Sequence, residues 1–377
     1  AYPEDAVKIF AGIISTVSFQ AGKAIVQVSH PEQLKRQKIF PEFKTQLFIP
    51  PTTAVGSLTG DINTSVTTIP VNDGSLFTAS TSESFHYIEI NSEKMKVTQV
   101  SGNNLTVIRA QLNTGADSHS NTDEVKEVYG LSKTDTKVKV VDATNFVASS
   151  DIVTSHVIIN EEAMQVTSAA NVESGGIVQY GILTVSRAKV ETIAFFHEQE
   201  DDVESMYRVQ GKVIDVALKT LLSNGGTSFL SDVSIENFEE ITTTQNVQNA
   251  FTVPLDPQKE FGLVVGDSVT ITGASSGANN VTNATILGFG FSDPNHYIII
   301  DTSLVEESDS SAKASFKSQF NTLTRDFCLA LTPQQVDVEQ HINIAENYAS
   351  AFPDVDLIIK EQTDGQEFIN KMIYRPF

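Results

Sequence analysis

One cysteine in 377 residues, Cys328, leaves no partner for an internal disulfide and no cysteine-rich metal site. Set between Phe327 and Leu329, it reads as a buried, inert thiol and not as a nucleophile. Positive charge is also scarce: 25 Lys and Arg stand against 47 Asp and Glu, a formal net charge of -22. Binding to phosphate backbones needs clustered cations that release counterions, so specific nucleic-acid binding is not expected and the surface should repel a polyanion. No apolar run reaches 18 residues and no secretory h-region follows Ala1, which predicts a chain without a membrane span or signal peptide. The motifs of nucleotide and hydrolytic chemistry are missing too: no Gly-rich phosphate loop ending in Lys-Ser/Thr, no Gly-x-Gly-x-x-Gly, no nucleophile elbow, no His-Glu-x-x-His. The glycines of 262–273 are separated by strand residues with no helix after them, so they are no nucleotide loop. No catalytic, cofactor or metal residue is assigned, and an enzyme is not expected.

What the chain does have is a second copy of part of itself. INSEKMKVT at Ile90–Thr98 returns as INEEAMQVT at Ile159–Thr167, and Val71, Asp73 and Phe77 return as Val140, Asp142 and Phe146, all at an offset of 69. After a longer loop in the second copy the offset becomes 78. It then carries Leu105, Val107, Arg109, Thr114, Ala116, His119, Asp123 and Val125 to Leu183, Val185, Arg187, Thr192, Ala194, His197, Asp201 and Val203. Self-similarity of this kind reports a shared supersecondary unit.

The flanks have other patterns. Val7 to Phe19 and Ala24 to Val28 read as a hairpin about Gln20–Lys23, and 51–62, with Pro, Thr and Gly, reads as a linker. Lys212 to Leu222 is apolar round much of a helix and is stopped by Asn224, Gly225 and Gly226. Alternating apolar residues from 251 to 317, with glycines at the corners, predict a small closed or half-closed β-barrel. Thr332, Pro333 and Gln335 signal a helix start, Asp337 and Gln340 repeat it for a helix through Tyr348, and Val355 to Lys360 reads as a strand. The expected fold is mainly β with minor α (α+β) and multi-domain. Its parts are 1–62 (N-terminal hairpin of a body), 63–130 and 131–206 (two tandem β-rich repeats), 207–250 (helix and connection), 251–317 (small β-barrel) and 318–377 (C-terminal α/β part of the body).

Four groups of polar residues are candidates for chemistry. Arg109, His119 and Asp123 recur as Arg187, His197 and Asp201; a structural Arg pairing with the downstream Asp beside a turn histidine is weighed against a sugar or ion site. The acidic run Glu198, Glu200, Asp201, Asp202 and Glu204 supplies oxygens for calcium but lacks the spacing of a dedicated loop, so a solvated charged edge is favoured. Asp354 and Asp356 fall on one side of a strand, as paired catalytic carboxylates would, yet nothing isolates them in a cleft. Cys328 completes the set.

The repeat pattern, Ile-Asn-x-Glu-x-Met-x-Val-Thr followed by Leu-Thr-Val-x-Arg-Ala, resembles modules of tailed-bacteriophage virion proteins, although Pro70 is replaced by Lys139 in the second copy. The stretches Ile9–Phe19, Tyr207–Gly226, Phe261–Ile286 and Leu331–Glu361 are together similar to baseplate hub or tail-tip proteins of those phages. The resemblance implies a structural protein of the virion tail, assembled in the host cytoplasm. It implies a β-barrel hub body interrupted by the inserted repeats, forming a homotrimer beneath the tail tube. Its implied partners are the tail tube or distal tail protein, the tape-measure protein, and tail fibres or other baseplate proteins. Such proteins often continue past the point corresponding to Phe377. An acidic wall suits a DNA conduit, because the genome then slides instead of binding. The alternative is a receptor- or carbohydrate-binding tail protein that uses the repeats.

Overall fold

The computed structural model describes residues 13–20, 23–29, 36–41, 47–50, 52–82, 85–144, 146, 150–242, 247–292, 294–308, 311–348 and 354–374. The chain is mainly β, 46% strand against 13% helix, with several curled antiparallel sheets and half-barrels. It divides into two compact units: residues 42–208 with 358–361 form one, and 1–41, 209–357 and 362–377 form the other.

The hairpin read near the N-terminus is present, with β1 (Ile13–Gln20) antiparallel to β2 (Lys23–Ser29); residues 7–12 and 21–22 of that reading lie outside the described residues. A short β3 (Lys38–Ile39) follows.

The 42–208 unit holds both repeats. Its strands are β4 (Leu47–Phe48), β5 (Val55–Ser57), β6 (Thr68–Pro70), β7 (His86–Ile90), β8 (Glu93–Ser101), β9 (Asn104–Gln111), β10 (Glu124–Leu131), β11 (Lys137–Val140), β12 (Val153–Ile159), β13 (Glu162–Ser174), β14 (Ile177–Lys189), β15 (His197–Glu198) and β16 (Asp202–Lys212). The first repeat is an antiparallel sheet in the order β10-β7-β8-β9-β6, and the second has the matching order β16-β12-β13-β14-β11. Alternation drives each sheet to close over its own core. Ile69, Ile88, Ile90, Met95, Val97, Leu105 and Val125 are buried in the first, and Val140, Val157, Ile159, Met164, Val166, Leu183 and Val203 in the second. The matched residues of the sequence repeat are therefore chiefly core positions. The longer loop of the second copy is an extension of β13 and β14 into a hairpin of two 13-residue strands whose turn uses Gly175 and Gly176, both at positive φ.

Of the segment read as a linker, the described residues 52–62 are built into the first module. β5 pairs with β10, Leu58 bridges Val71, and Ile62 bridges His119. The equivalent edge of the second module comes from still earlier in the chain: β4 pairs with β16, and Ile49 lies in the second core. The correspondence holds at the level of single bonds. Leu58 N donates to Asp123 O and Thr122 N to Leu58 O at 2.9 and 3.0 Å, as Ile49 N donates to Asp201 O and Glu200 N to Ile49 O at 3.2 and 2.7 Å. The chain thus lays the edge of module two, builds module one completely, and returns to finish module two. Sequence periodicity cannot show this, because a two-residue edge strand carries no period. The modules also share contacts: β15 pairs with the end of β10, Tyr87 Oη donates to Asp135 at 3.3 Å, and Lys94 pairs with Glu198. Lys139, where the first copy has Pro70, lies over the rings of Tyr129 and Tyr180 at 3.8 and 4.0 Å. Its burial lowers the ammonium to about 8.

In the other unit, α1 (Val213–Leu222) buries seven apolar residues and ends before Gly225 and Gly226, both at positive φ. The predicted barrel is larger than the alternation suggested. β17 (Leu230–Ser234), β18 (Asn237–Thr242) and β19 (Val247–Val253) come from the stretch read as a connection, and they join β20 (Ser268–Thr272), β21 (Ala284–Ser292), β22 (Asn295–Ile300), β23 (Glu307–Ser308) and β24 (Lys313–Lys317) in one eight-stranded sheet. Its inner face buries Phe238, Phe251, Ile271, Ile298 and Phe316. The capping box at Thr332 and Gln335 is formed, with Thr332 N donating to Gln335 Oε1 at 2.8 Å, but it opens a single 3-10 turn. Asp337 then caps α2 (Val338–Tyr348) by accepting from Gln340 N at 3.1 Å. β25 (Asp354–Ile359) follows, its last two residues falling in the 358–361 stretch assigned to the first unit, and β26 (Thr363–Asp364) and a π-helical turn at Phe368–Tyr374 complete the second. The C-terminal segment packs on α1, where Leu329 N and Leu331 N donate to Thr220 O and Leu221 O at 2.8 and 2.9 Å. It also packs on 36–41, where β3 pairs with β26 and Phe40 lies against Phe327 and Phe368 at 5.9 and 5.4 Å between ring centroids.

The interleaved edges give a direct expectation. A fragment spanning 42–208 should fold, whereas 63–206 lacks Ile49, Leu58 and Ile62, each worth about 1.5–3 kcal/mol of transfer free energy. Far-UV circular dichroism with urea titration of both fragments should show the shorter one unfolded or far less resistant; equal midpoints would show that the early strands add nothing.

Candidate functional site

The arginine and histidine that recur in the repeat come together in both modules, but around a glutamate and not around the downstream aspartate. β8 begins with Glu93, β9 ends near Arg109, and the loop before β10 brings in His119. In the second module β13, β14 and the start of β15 place Glu162, Arg187 and His197 in the same way. Ala110 and Ala188, each with φ of 53°, turn the backbone so that their N–H groups face the same carboxylate as the preceding guanidinium.

The geometry repeats bond for bond. Glu93 Oε1 accepts from Arg109 Nε at 2.7 Å and Ala110 N at 3.2 Å. Its Oε2 accepts from Arg109 Nη2 at 2.6 Å, Asp117 N at 2.9 Å and His119 Nε2 at 2.9 Å. Glu162 receives Arg187 Nε at 2.6 Å, Ala188 N at 3.1 Å, Arg187 Nη2 at 2.6 Å, Phe195 N at 2.8 Å and His197 Nε2 at 2.9 Å. The remaining guanidinium hydrogens go to backbone carbonyls: Asn63, Val66 and Asp117 in module one, and Ser132, Asp135 and Phe195 in module two. All five N–H groups of each arginine are thus used. Both glutamate side chains have no solvent exposure. Burial opposes their ionisation, but the arginine and the converging N–H donors outweigh it and hold both carboxyls at about 2.

The structure corrects the expected pairing. Neither arginine reaches the downstream Asp123 or Asp201; the partner is the upstream Glu93 or Glu162. Asp123 and Asp201 instead close the turn after the histidine, accepting from Ser120 N and Glu198 N, both at 2.9 Å, and from Asn91 and Asn160 Nδ2, both at 3.0 Å. Nor is the histidine merely a turn residue, since its ring is buried against the glutamate. The signal for the glutamate was in the repeat: Glu93 and Glu162 match, while the neighbouring Ser92 and Glu161 do not.

The other candidates stay apart. In the acidic run, Glu198 pairs with Lys94 and Asp201 serves its turn; among the described residues no group of three His, Cys, Asp or Glu has a geometry that would hold a metal ion. Asp354 pairs with Lys212 at 2.7 Å and Asp356 accepts from Gln210 at 3.3 Å, both on an exposed face. Cys328 is buried, its thiol pushed up to about 11 by that burial.

Removing the guanidinium should leave a buried, uncompensated carboxylate. Arg109→Ala and Arg187→Ala should each cost about 3–5 kcal/mol in urea unfolding, and Lys in place of Arg should not rescue, because a point charge cannot satisfy this fork of acceptors. The same two carboxyls set an acid limit. Their folded values, about 2, lie below the ordinary 4.5, so their contribution is complete above pH 4.5 and is lost as pH falls toward 2. Unfolding free energy of the 42–208 fragment should decline across that window, and a flat profile would contradict the assignment.

Comparison with known proteins finds no family model that matches the chain and no curated protein that matches it.

Proposed function

We propose that this chain is a structural component of a phage tail, a baseplate hub or tail-tip subunit that assembles as a ring-forming trimer around an acidic DNA conduit. The observation that carries the reading is how the repeated charged residues are used. Both Arg-Glu pairs spend their hydrogen bonds inside the module, and an ion pair so saturated holds loops in place instead of turning over a substrate. Two further features support it. Residues from three separate stretches of chain form one unit, with the repeat-bearing stretch inserted in sequence between the first two, as expected for a body carrying added modules. The excess of acidic residues suits a wall past which DNA slides. The tail tube or distal tail protein, the tape-measure protein and tail fibres are the partners this role requires.

A second reading, a receptor- or carbohydrate-binding tail protein, is favoured by the long β13–β14 hairpin, which exposes Ile177 and Val178 near its tip. Electron microscopy of the particle with this chain labelled separates the two. Three copies in a ring at the end of the tail tube are expected; copies confined to fibres would favour the receptor binder.

A further inference from the structure

The two modules share a scaffold but not the rim around their histidines. At the offset that carries His119 to His197, Asp117, Ser118, Ser120 and Asn121 are replaced by Phe195, Phe196, Glu198 and Gln199, and at the earlier offset Ser92 is replaced by Glu161. These five replacements, with Asn160, His197 and Asp201, line a cleft of about 450 Å³.

Two acceptors in this group have no donor. His197 is 1% exposed, and its Nε2 donates to the ionised Glu162, so the neutral ring presents a lone pair at Nδ1. That atom is buried without a hydrogen-bond partner, with Asp201 Oδ2 at 3.8 Å, beyond bonding distance. Gln199 Oε1 is buried and partnerless as well. In module one the matching nitrogen, His119 Nδ1, is met by Asn91 Nδ2 at 3.3 Å. In both modules the asparagine also donates to the downstream aspartate at 3.0 Å, Asn91 to Asp123 and Asn160 to Asp201, but Asn160 makes no matching contact with His197 Nδ1. A buried acceptor left unmatched costs about 1–3 kcal/mol, which a donor arriving from outside would recover.

The chemistry of the lining selects that donor. His197 Nδ1, Gln199 Oε1 and the carboxylates of Asp201 and Glu161 all accept, and Glu161 is exposed. Phe195 keeps 37% of its surface exposed and offers an aromatic face. Acceptors, negative charge and an aromatic face together fit a cation that donates several hydrogen bonds. We propose that the cleft of the second module is a binding site for an ammonium or guanidinium group, presented by a lysine or arginine of a partner polypeptide or by a free polyamine. The inference does not depend on the ring assembly proposed above, because it requires only the second module.

Long-range proton–nitrogen spectra of the 15N-labelled full chain read the site directly, with the His197 ring assigned by its loss in His197→Gln. Ethylguanidinium and n-butylammonium chloride should each move the Nδ1 resonance of His197 saturably and leave His119 unmoved. Glu161→Gln and Phe195→Ala, both at exposed positions, should each raise the required concentration severalfold. A Gly-Arg-Gly peptide binding tighter than spermidine identifies a polypeptide source, and the reverse order identifies a polyamine. No shift at His197, an equal shift at His119, or a shift only with calcium chloride or glucose would overturn the proposal.

Discussion

The 42–208 unit depends on one interaction made twice, a fully buried glutamate held by both arms of an arginine and by the N–H groups of a loop. Taking these charges out of water is costly, and the cost is offset only where every donor and acceptor is matched. Here the match is complete for both ions, which explains the repeated details around them. Ala110 and Ala188 take up left-handed backbone to aim an N–H inward, and two carbonyls of a single turn, Asn63 and Val66 or Ser132 and Asp135, converge on each Nη1. The interaction ties the loops on either side to the start of one strand and the end of the next, a strand pair that the ladder itself joins at Lys94–Gln111 and Ala163–Lys189.

This arrangement separates stability from specificity. The carboxylate, guanidinium and imidazole are fixed in both modules, while residues one or two positions away differ freely. In module one those neighbours are Asp117, Ser118, Ser120 and Asn121, short polar side chains. In module two they are Phe195, Phe196, Glu198 and Gln199, and Phe196 packs against Tyr87, Leu112 and Val128 of the neighbouring module. The rim of the second histidine therefore faces two ways, toward the inter-module contact through Phe196 and Lys94–Glu198, and toward the open cleft through Phe195 and Gln199. At the same junction a Cβ on Gly130 would lie 2.3 Å from Leu112 Cδ1, so a side chain there would require Leu112 to move.

Much of the fold was legible in the sequence, because much of it is written in periods. The doubled INxExMxVT segment marked two modules, and its apolar positions became their cores. The eleven residues before Ser223 gave a helix one residue shorter than read, since Lys212 only caps it. The Asp337 cap appeared where the pattern placed it, and the strand read at 355–360 formed one residue earlier, at Asp354–Ile359. The 230–253 strands were missed because exposed and mixed residues alternate weakly there, and only pairing with β24, β22 and β23 holds them in the sheet.

By itself the sequence determined the duplication, the strongly acidic charge, the inertness expected of the lone cysteine, and the membership of arginine and histidine in a repeated group. Local order and chemical type are enough for those. Only the tertiary structure decided which acid the arginine binds, because Glu93 and Asp123 are both carboxylates and the choice is made by β8 lying beside β9. Only it placed Ile49 in the second core and Leu58 in the first, since an edge strand is specified by the neighbour that accepts its hydrogen bonds. And only it showed that two histidines alike in sequence differ at one ring nitrogen, since the asparagine that bonds the downstream aspartate in both modules also meets Nδ1 in the first but not in the second.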